Sequence, residues 1–253
     1  MIMQTIPQNY EAKMDCLAGR VILITGATSG IGASAAQTFA TYGATVILLG
    51  RKQRNLEQIY DKIEETGGPQ PAIIPCNLEN ASIQDYQKLA GVIEQEFGRL
   101  DGILHNAATL GPLSPIEHYP ITEWNKVLQI NLTAPMMITQ ACLGLLKKSD
   151  DASILLTSDE VGRKSRAYWG GYSISKFGIE ALTQILADEL ETNTHIRVNN
   201  IDPGAIRTRF RKNAYPGENN DELRPPEEIM NDYLYLLGPD SRGVSGNAFN
   251  ARR

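Results

Sequence analysis

Tyr172 and Lys176 lie four residues apart in the segment YSISK. On a helix that spacing places a phenol and an ammonium on one face. A phenol is almost un-ionised at neutral pH, and a neighbouring positive charge favours the phenolate. The pair is therefore expected to lower the pKa of Tyr172 and make it a proton donor or acceptor near working pH. A second feature supplies a partner for that proton chemistry. TGATSGIG, from Thr25 to Gly32, is a glycine-rich turn that closes an apolar run. Gly26 permits a tight turn, and Gly30 and Gly32 let backbone amides approach a pyrophosphate at a helix N-terminus. The glycine spacing is G-x-x-x-G-x-G, not the G-x-G-x-x-G dinucleotide fingerprint.

These groups need a scaffold that brings distant segments to one place. From Arg20 onward, short apolar runs alternate with longer amphipathic stretches. The pattern predicts strands over 20–25, 44–50, 71–76, 100–107, 153–158, 195–201 and 246–250. It predicts helices over 30–43, 53–66, 82–98, 122–148, 172–192 and 226–237. Pro135 inside the fourth helix predicts a kink or local irregularity there. The strands are apolar throughout rather than alternating, which suits a parallel sheet buried on both faces. Regular βα alternation predicts one α/β domain over residues 1–253, a doubly wound, mostly seven-stranded parallel sheet with helices on both faces. Residues 1–19 read as a polar lead-in and 207–226 as a loop over the substrate. Ligands of such sheets sit at the carboxyl ends of the strands. Gly26–Gly32, Gly50-Arg51, Asn77, Asn106, Ser158-Asp159 and Pro203-Gly204 all follow predicted strands, so they should gather along one edge.

The end of the second strand bears on the ligand. Dinucleotide folds that use NAD place a carboxylate near here for the ribose hydroxyls. Gly50 removes it, and Arg51, Lys52 and Arg54 supply positive charge suited to a phosphate. The expected cofactor is NADP rather than NAD. The formal net charge of −5 argues against nucleic acid as the main partner. Cys16, Cys76 and Cys142 form neither a C-x-x-C pair nor a metal spacing, which fits a reducing compartment and no metal. No apolar run reaches the length of a membrane span. The N-terminal stretch carries Glu11 and Asp15 and reads as no signal peptide, so a cytoplasmic protein without membrane association is expected.

A chance Y-x-x-x-K is common, but with the glycine turn at this separation it is specific. The chain resembles the short-chain dehydrogenase/reductase family over residues 18–250, with a Rossmann fold, and within it a bacterial subgroup of oxidoreductases. The resemblance implies the following roles. TGATSGIG matches the family's TGxxxGIG loop, setting Gly26, Thr28, Ser29, Gly30, Ile31 and Gly32 against the cofactor. HNAA at His105–Ala108 matches the family's NNAG, with Asn106 and Ala107 in register and Ala108 in place of its glycine. Asn77, followed by Leu78, stands where the family has an aspartate near the adenine. Asn131 matches the asparagine that holds a water in a proton relay. Tyr172 becomes the acid/base, and Lys176 also binds the nicotinamide ribose. Pro203, Gly204 and Thr208 belong to a PGxxxT segment that closes over the nicotinamide. Homodimers or homotetramers through helices 122–148 and 172–192 are implied as well.

One departure touches the chemistry. The family serine falls on Asp159, thirteen residues before Tyr172, with Ser158 one residue earlier. That serine donates to the substrate oxygen, whereas an ionised aspartate only accepts. Either Asp159 is protonated and donates, or the TSDE loop presents Ser158, or carbonyl reduction is poor. His105 reads as a strand-end histidine, and Arg207, Arg209, Arg211 and Lys212 as a solvated lid, the alternative being a receptor for an acidic group of the substrate. The expected function is NADP(H)-dependent hydride transfer to or from a small carbonyl or secondary alcohol. The alternative is a catalytically weak dinucleotide-binding sensor or interaction protein. A sugar-nucleotide epimerase of the extended relatives would need a further substrate domain.

Overall fold

A computed structural model describes residues 3–251. Eight strands form one sheet: β1 (Met3–Gln4), β2 (Val21–Thr25), β3 (Thr45–Gly50), β4 (Ala72–Pro75), β5 (Gly102–His105), β6 (Ser153–Thr157), β7 (Arg197–Asp202) and β8 (Ala248–Asn250). Every pairing is parallel, in the order β1-β8-β7-β6-β5-β2-β3-β4. The helices are α1 (Gly30–Thr41), α2 (Gln53–Glu65), α3 (Ile83–Phe97), α4 (Ile121–Leu128), α5 (Ala134–Leu146), α6 (Gly170–Glu191), α7 (Arg209–Ala214) and α8 (Met230–Leu237).

Successive side chains on a strand point to opposite faces, and here both faces are apolar. Ile22, Ile24, Val46, Leu48, Leu104 and Leu155 pack with Phe39 of α1, Leu56 of α2 and Tyr233 of α8. Their neighbours Leu23, Ile47, Leu49, Ile103, Ile154 and Leu156 pack with Tyr86 of α3, Ile138 of α5 and Ile179 of α6. The two-residue period thus sorts one continuous apolar strand into two cores, one beneath each helical layer.

The chain winds outward in both directions from β2, which lies between β3 and β5. That reversal opens a crevice at the carboxyl ends of β2 and β5. Register fixes what meets there. Thr25 pairs with His105, and His105 with Leu156. The segments after β2, β5 and β6 therefore emerge side by side.

Three expectations change. The lead-in is not purely polar: Met3–Gln4 adds an eighth, edge strand beside β8, and Ile6 and Leu17 are buried in the core. The helix expected over 122–148 is α4 and α5 joined by a π turn at Gln129–Thr133. The nitrogen that would donate to the Asn131 carbonyl in an α-helix belongs to Pro135 and carries no hydrogen, so the wider turn spans that gap. The expected substrate loop contains α7, capped by Thr208 Oγ1, which accepts from the Arg211 amide at 3.1 Å.

Candidate active site

The crevice is a cleft of about 460 Å³ running along the carboxyl ends of the strands. At one end lies the glycine turn. Gly26 has φ +70°, and a Cβ there would stand 2.9 Å from Ala107 Cα. A Cβ on Gly32 would meet the Gly26 carbonyl oxygen at 2.3 Å and Asn106 Nδ2 at 2.7 Å. Backbone has therefore replaced side chain where the turn meets the segment after β5. Thr25 Oγ1 ties them together, accepting from the Asn106 and Ala107 amides at 3.0 and 3.1 Å. Ser29, the N-cap residue of α1, makes no side-chain capping bond, and the first turn carries no acidic residue. The positive end of the helix dipole is left open toward the cleft, as an anion site requires.

Thr28, Ser29, Gly30, Ile31, Gly50, Arg51, Asn77 and Leu78 line this end. A Cβ on Gly50 would lie 2.9 Å from Thr28 Cγ2 and 3.1 Å from Leu56 Cδ2. Position 50 carries no carboxylate where NAD-type sites hold one, and a side chain there would crowd Thr28 and Leu56. Arg51 is exposed at the rim. The residues thus fit a phosphorylated dinucleotide that carries an extra phosphate near the adenosine ribose.

At the other end α6 presents its pair. Tyr172 and Lys176 are both buried and both line the cleft. Lys176 Nζ donates to the Thr157 carbonyl at 2.6 Å and sits 5.5 Å from the centre of the Tyr172 ring. Tyr172 Oη donates to Asp159 Oδ2 at 3.0 Å. Burial, then the Asp159 charge and hydrogen bond, push the phenol well above its usual pKa. This reverses the expected lowering by Lys176, whose ammonium faces a carbonyl rather than the phenol oxygen. Burial lowers Lys176 itself to about 8, against the raising influence of Asp159, Asp202 and Glu180.

The neighbouring serine and aspartate bond to different partners, in keeping with the opposite directions of successive residues in an extended segment. Ser158 Oγ donates to Glu180 Oε1, which Arg163 Nε also contacts at 3.1 Å. Its hydroxyl is thus engaged by Glu180, although Ser158 lines the same cleft as Tyr172. Asp159 Oδ1 caps the turn Glu160–Gly162 by accepting from the Val161 amide at 3.0 Å. That turn is pressed onto α6, since a Cβ on Gly162 would lie 2.8 Å from Lys176 Cβ.

Asn131 lies behind the cleft wall. Its carboxamide accepts from the Thr109 amide at 2.8 Å and donates to the Thr109 carbonyl at 2.9 Å and Ser175 Oγ at 3.0 Å. It ties the segment after β5 to α6. Asn106, Ala107, Ala108, Pro203, Gly204 and Thr208 line the cleft, whereas Gly32 and Asn131 support it from outside.

Sequence reasoning missed the aromatic wall around Tyr172. Phe210 of α7 packs on Tyr172 with ring centres 5.4 Å apart. Trp169 packs on Tyr172 at 5.9 Å and on Tyr215 at 5.5 Å. Scattered aromatics carry no periodic signal. Thr25 was also missed as a positioning residue, although it begins the TGATSGIG motif. Arg211 is no free anion receptor: it pairs with Glu218 at 2.6 Å and stacks on Tyr215 at 3.7 Å. His105 is only half satisfied. Nε2 meets Thr139 Oγ1 at 2.9 Å, while Nδ1 is buried and, among the described residues, has no partner. Burial depresses its pKa to about 3. Among the described residues no helix is long and apolar enough to cross a membrane.

The short chain dehydrogenase family model matches residues 20–219. The chain is 46% identical over 244 residues to the oxidoreductase YciK of Escherichia coli strain K12, itself uncharacterized, covering 96% of each chain. A Pseudomonas syringae structure described as a short chain dehydrogenase superposes with a TM-score of 0.95 at 53% identity, covering 97% of this chain and 99% of that one. A Shigella flexneri 2a structure described likewise, in complex with NADP, gives a TM-score of 0.92 at 46% identity over 95% and 100% of the two chains. On these matches and on its fold, the chain belongs to the short chain dehydrogenase family of oxidoreductases.

Proposed function

We propose that the protein is an NADP(H)-dependent oxidoreductase that interconverts a small ketone or aldehyde with the corresponding alcohol, with Tyr172 as the proton-transferring group. One observation carries the reading: the buried phenol and ammonium of α6 share a single cleft with the open N-terminus of α1. The Shigella flexneri relative solved with NADP supports the choice of cofactor. The α1 amides and the glycine turn would hold the pyrophosphate, Arg51 the extra phosphate, and Asn77 and Leu78 the adenine side. Lys176 would hold the nicotinamide ribose. When bound, the cofactor supplies or accepts the hydride at the substrate carbon.

Tyr172 does the rest. In reduction its Oη proton goes to the substrate oxygen as the C=O π bond opens, and solvent restores the proton. In oxidation the same oxygen takes the proton back. A phenol held protonated is ready to act as an acid. Asn131 keeps the loop at Thr109 and the helix carrying Tyr172 at a fixed separation. We also propose one domain over the whole chain and assembly into dimers or tetramers. Ile174, Phe177 and Ile185 expose an apolar stripe on α6, and Met136 of α5 is exposed as well.

The bond from Tyr172 to Asp159 favours a second reading, in which the phenol is occupied and the protein binds the dinucleotide with little turnover. Ketones, aldehydes and alcohols tested with NADPH or NADP, followed by absorbance of the reduced cofactor, separate the two. Turnover that vanishes in Tyr172→Phe supports the enzyme. Tight cofactor binding with no turnover on any of them supports the sensor.

A further inference from the structure

Asp159 is a poor neighbour for a phenol that serves a carbonyl. A carboxylate accepts hydrogen bonds and repels negative charge growing on a substrate oxygen. Among the described residues no lysine or arginine reaches Asp159 at ion-pair distance, although the Lys176 ammonium lies near enough for the two charges to act on each other. Three guanidiniums of these segments are engaged by other carboxylates. Arg163 pairs with Glu180, Arg166 with Glu160 and Arg211 with Glu218. Asp159 also borders a second cavity of about 400 Å³ that Glu160, Asp202, Arg211 and Arg224 help to line. In the main cleft it shares the lining with the ring systems of Trp169, Tyr172 and Phe210. A carboxylate with no ion-pair partner of its own, beside a wall of aromatic rings, suits one ligand chemistry. Both the rings and the carboxylate attract an ammonium.

We propose that the substrate carries a protonated amino group next to the reacting carbon, an amino alcohol or the matching amino ketone, with the ammonium seated on Asp159 against the aromatic wall. This rests on the reading of Tyr172 given above and names the substrate class for it. The ammonium donates to Asp159 and so replaces the phenol hydroxyl there. Tyr172 Oη is then released to face the substrate oxygen. The same positive charge, one carbon away, offsets the charge that grows on that oxygen. The aspartate, a defect for a neutral ketone, becomes the recognition element for a cationic one.

The probes are phenylethanolamine and its neutral isostere styrene glycol. Calorimetry on protein saturated with NADPH, in which neither alcohol can react, should show the amine binding about tenfold tighter or more. The preference should fade as the pH passes the amine's own pKa, a result that needs no variant. Asp159→Asn should erase it by weakening the amine rather than strengthening the glycol. Turnover of both alcohols with NADP should stop in Tyr172→Phe while the binding preference stays. Equal affinity for the two probes in the native protein, or a preference that survives Asp159→Asn, overturns the proposal. Turnover that persists in Tyr172→Phe instead overturns the acid/base reading and leaves the affinity comparison to decide the ammonium site alone.

Discussion

At the α1 end of the cleft the ligand surface is backbone; at the α6 end it is side chain. Gly26, Gly30, Gly32 and Gly50 strip the first end of Cβ atoms, and amides and carbonyls do the shaping. Tyr172, Asp159, Trp169 and Phe210 build the second from rotatable groups on three separate elements. Backbone in a tight turn has few alternatives, so the first end suits one invariant ligand, a pyrophosphate. Side chains can be exchanged without disturbing the sheet. The second end is thus where one fold can change its substrate.

The sharpest break of this contrast is at Tyr172. Replacing it with Phe should cut turnover by about 10³-fold while NADPH affinity, measured by fluorescence titration, stays within a factor of about two. A large loss of NADPH affinity would mean that the two ends are not separable. At the other end, Arg51→Ala should weaken NADPH by about ten- to a hundredfold and leave NADH almost unchanged. Equal losses for both dinucleotides would remove the phosphate contact. A third test reads the side-chain end through pH. Turnover that needs charged Lys176 should fall by about tenfold per pH unit above about 8. Asp159 raises that pKa, so Asp159→Asn should move the break to lower pH; an unmoved break would mean that the two groups do not communicate.

The smallest effect lies beneath the cleft, at His105. Its folded pKa of about 3 is below the usual 6.5. As pH falls through 6.5 the unfolded chain takes up a proton and the folded chain does not. Stability should therefore drop by about 1.4 kcal/mol per pH unit from this site down to about 3. His105→Asn should remove that slope, as read from urea midpoints between about pH 6.5 and 4. An unchanged slope would mean that the ring is protonated in the fold.

The same contrast explains what could be read from the sequence. The strands and the glycine turn were legible because each is a local pattern: VILIT and TVILLG are apolar runs, and TGATSGIG is one contiguous motif. Tyr172 and Lys176 were legible through a fixed helical spacing. The sign of the Tyr172 pKa shift was not. It depends on which oxygen faces Asp159 and on where Lys176 Nζ turns, and both are set by tertiary packing. The choice between Ser158 and Asp159 is not legible for the same reason: it turns on the direction of each side chain. The π turn was half legible: Pro135 predicted an irregularity but not its form. Met3–Gln4 is too short a strand to announce itself without its partner β8.

Thr28 has a consequence for how this lineage could change its redox currency. Its methyl group fills the space that a side chain at Gly50 would enter, and Leu56 closes the remaining gap. Acquiring an acidic residue at 50 therefore requires the Thr28 methyl and the Leu56 side chain to turn aside, because the newcomer would meet them first. A smaller residue at 28 would ease that step. The dinucleotide preference is thus braced by packing between the glycine turn and the end of β3, while the aromatic end remains free to diversify.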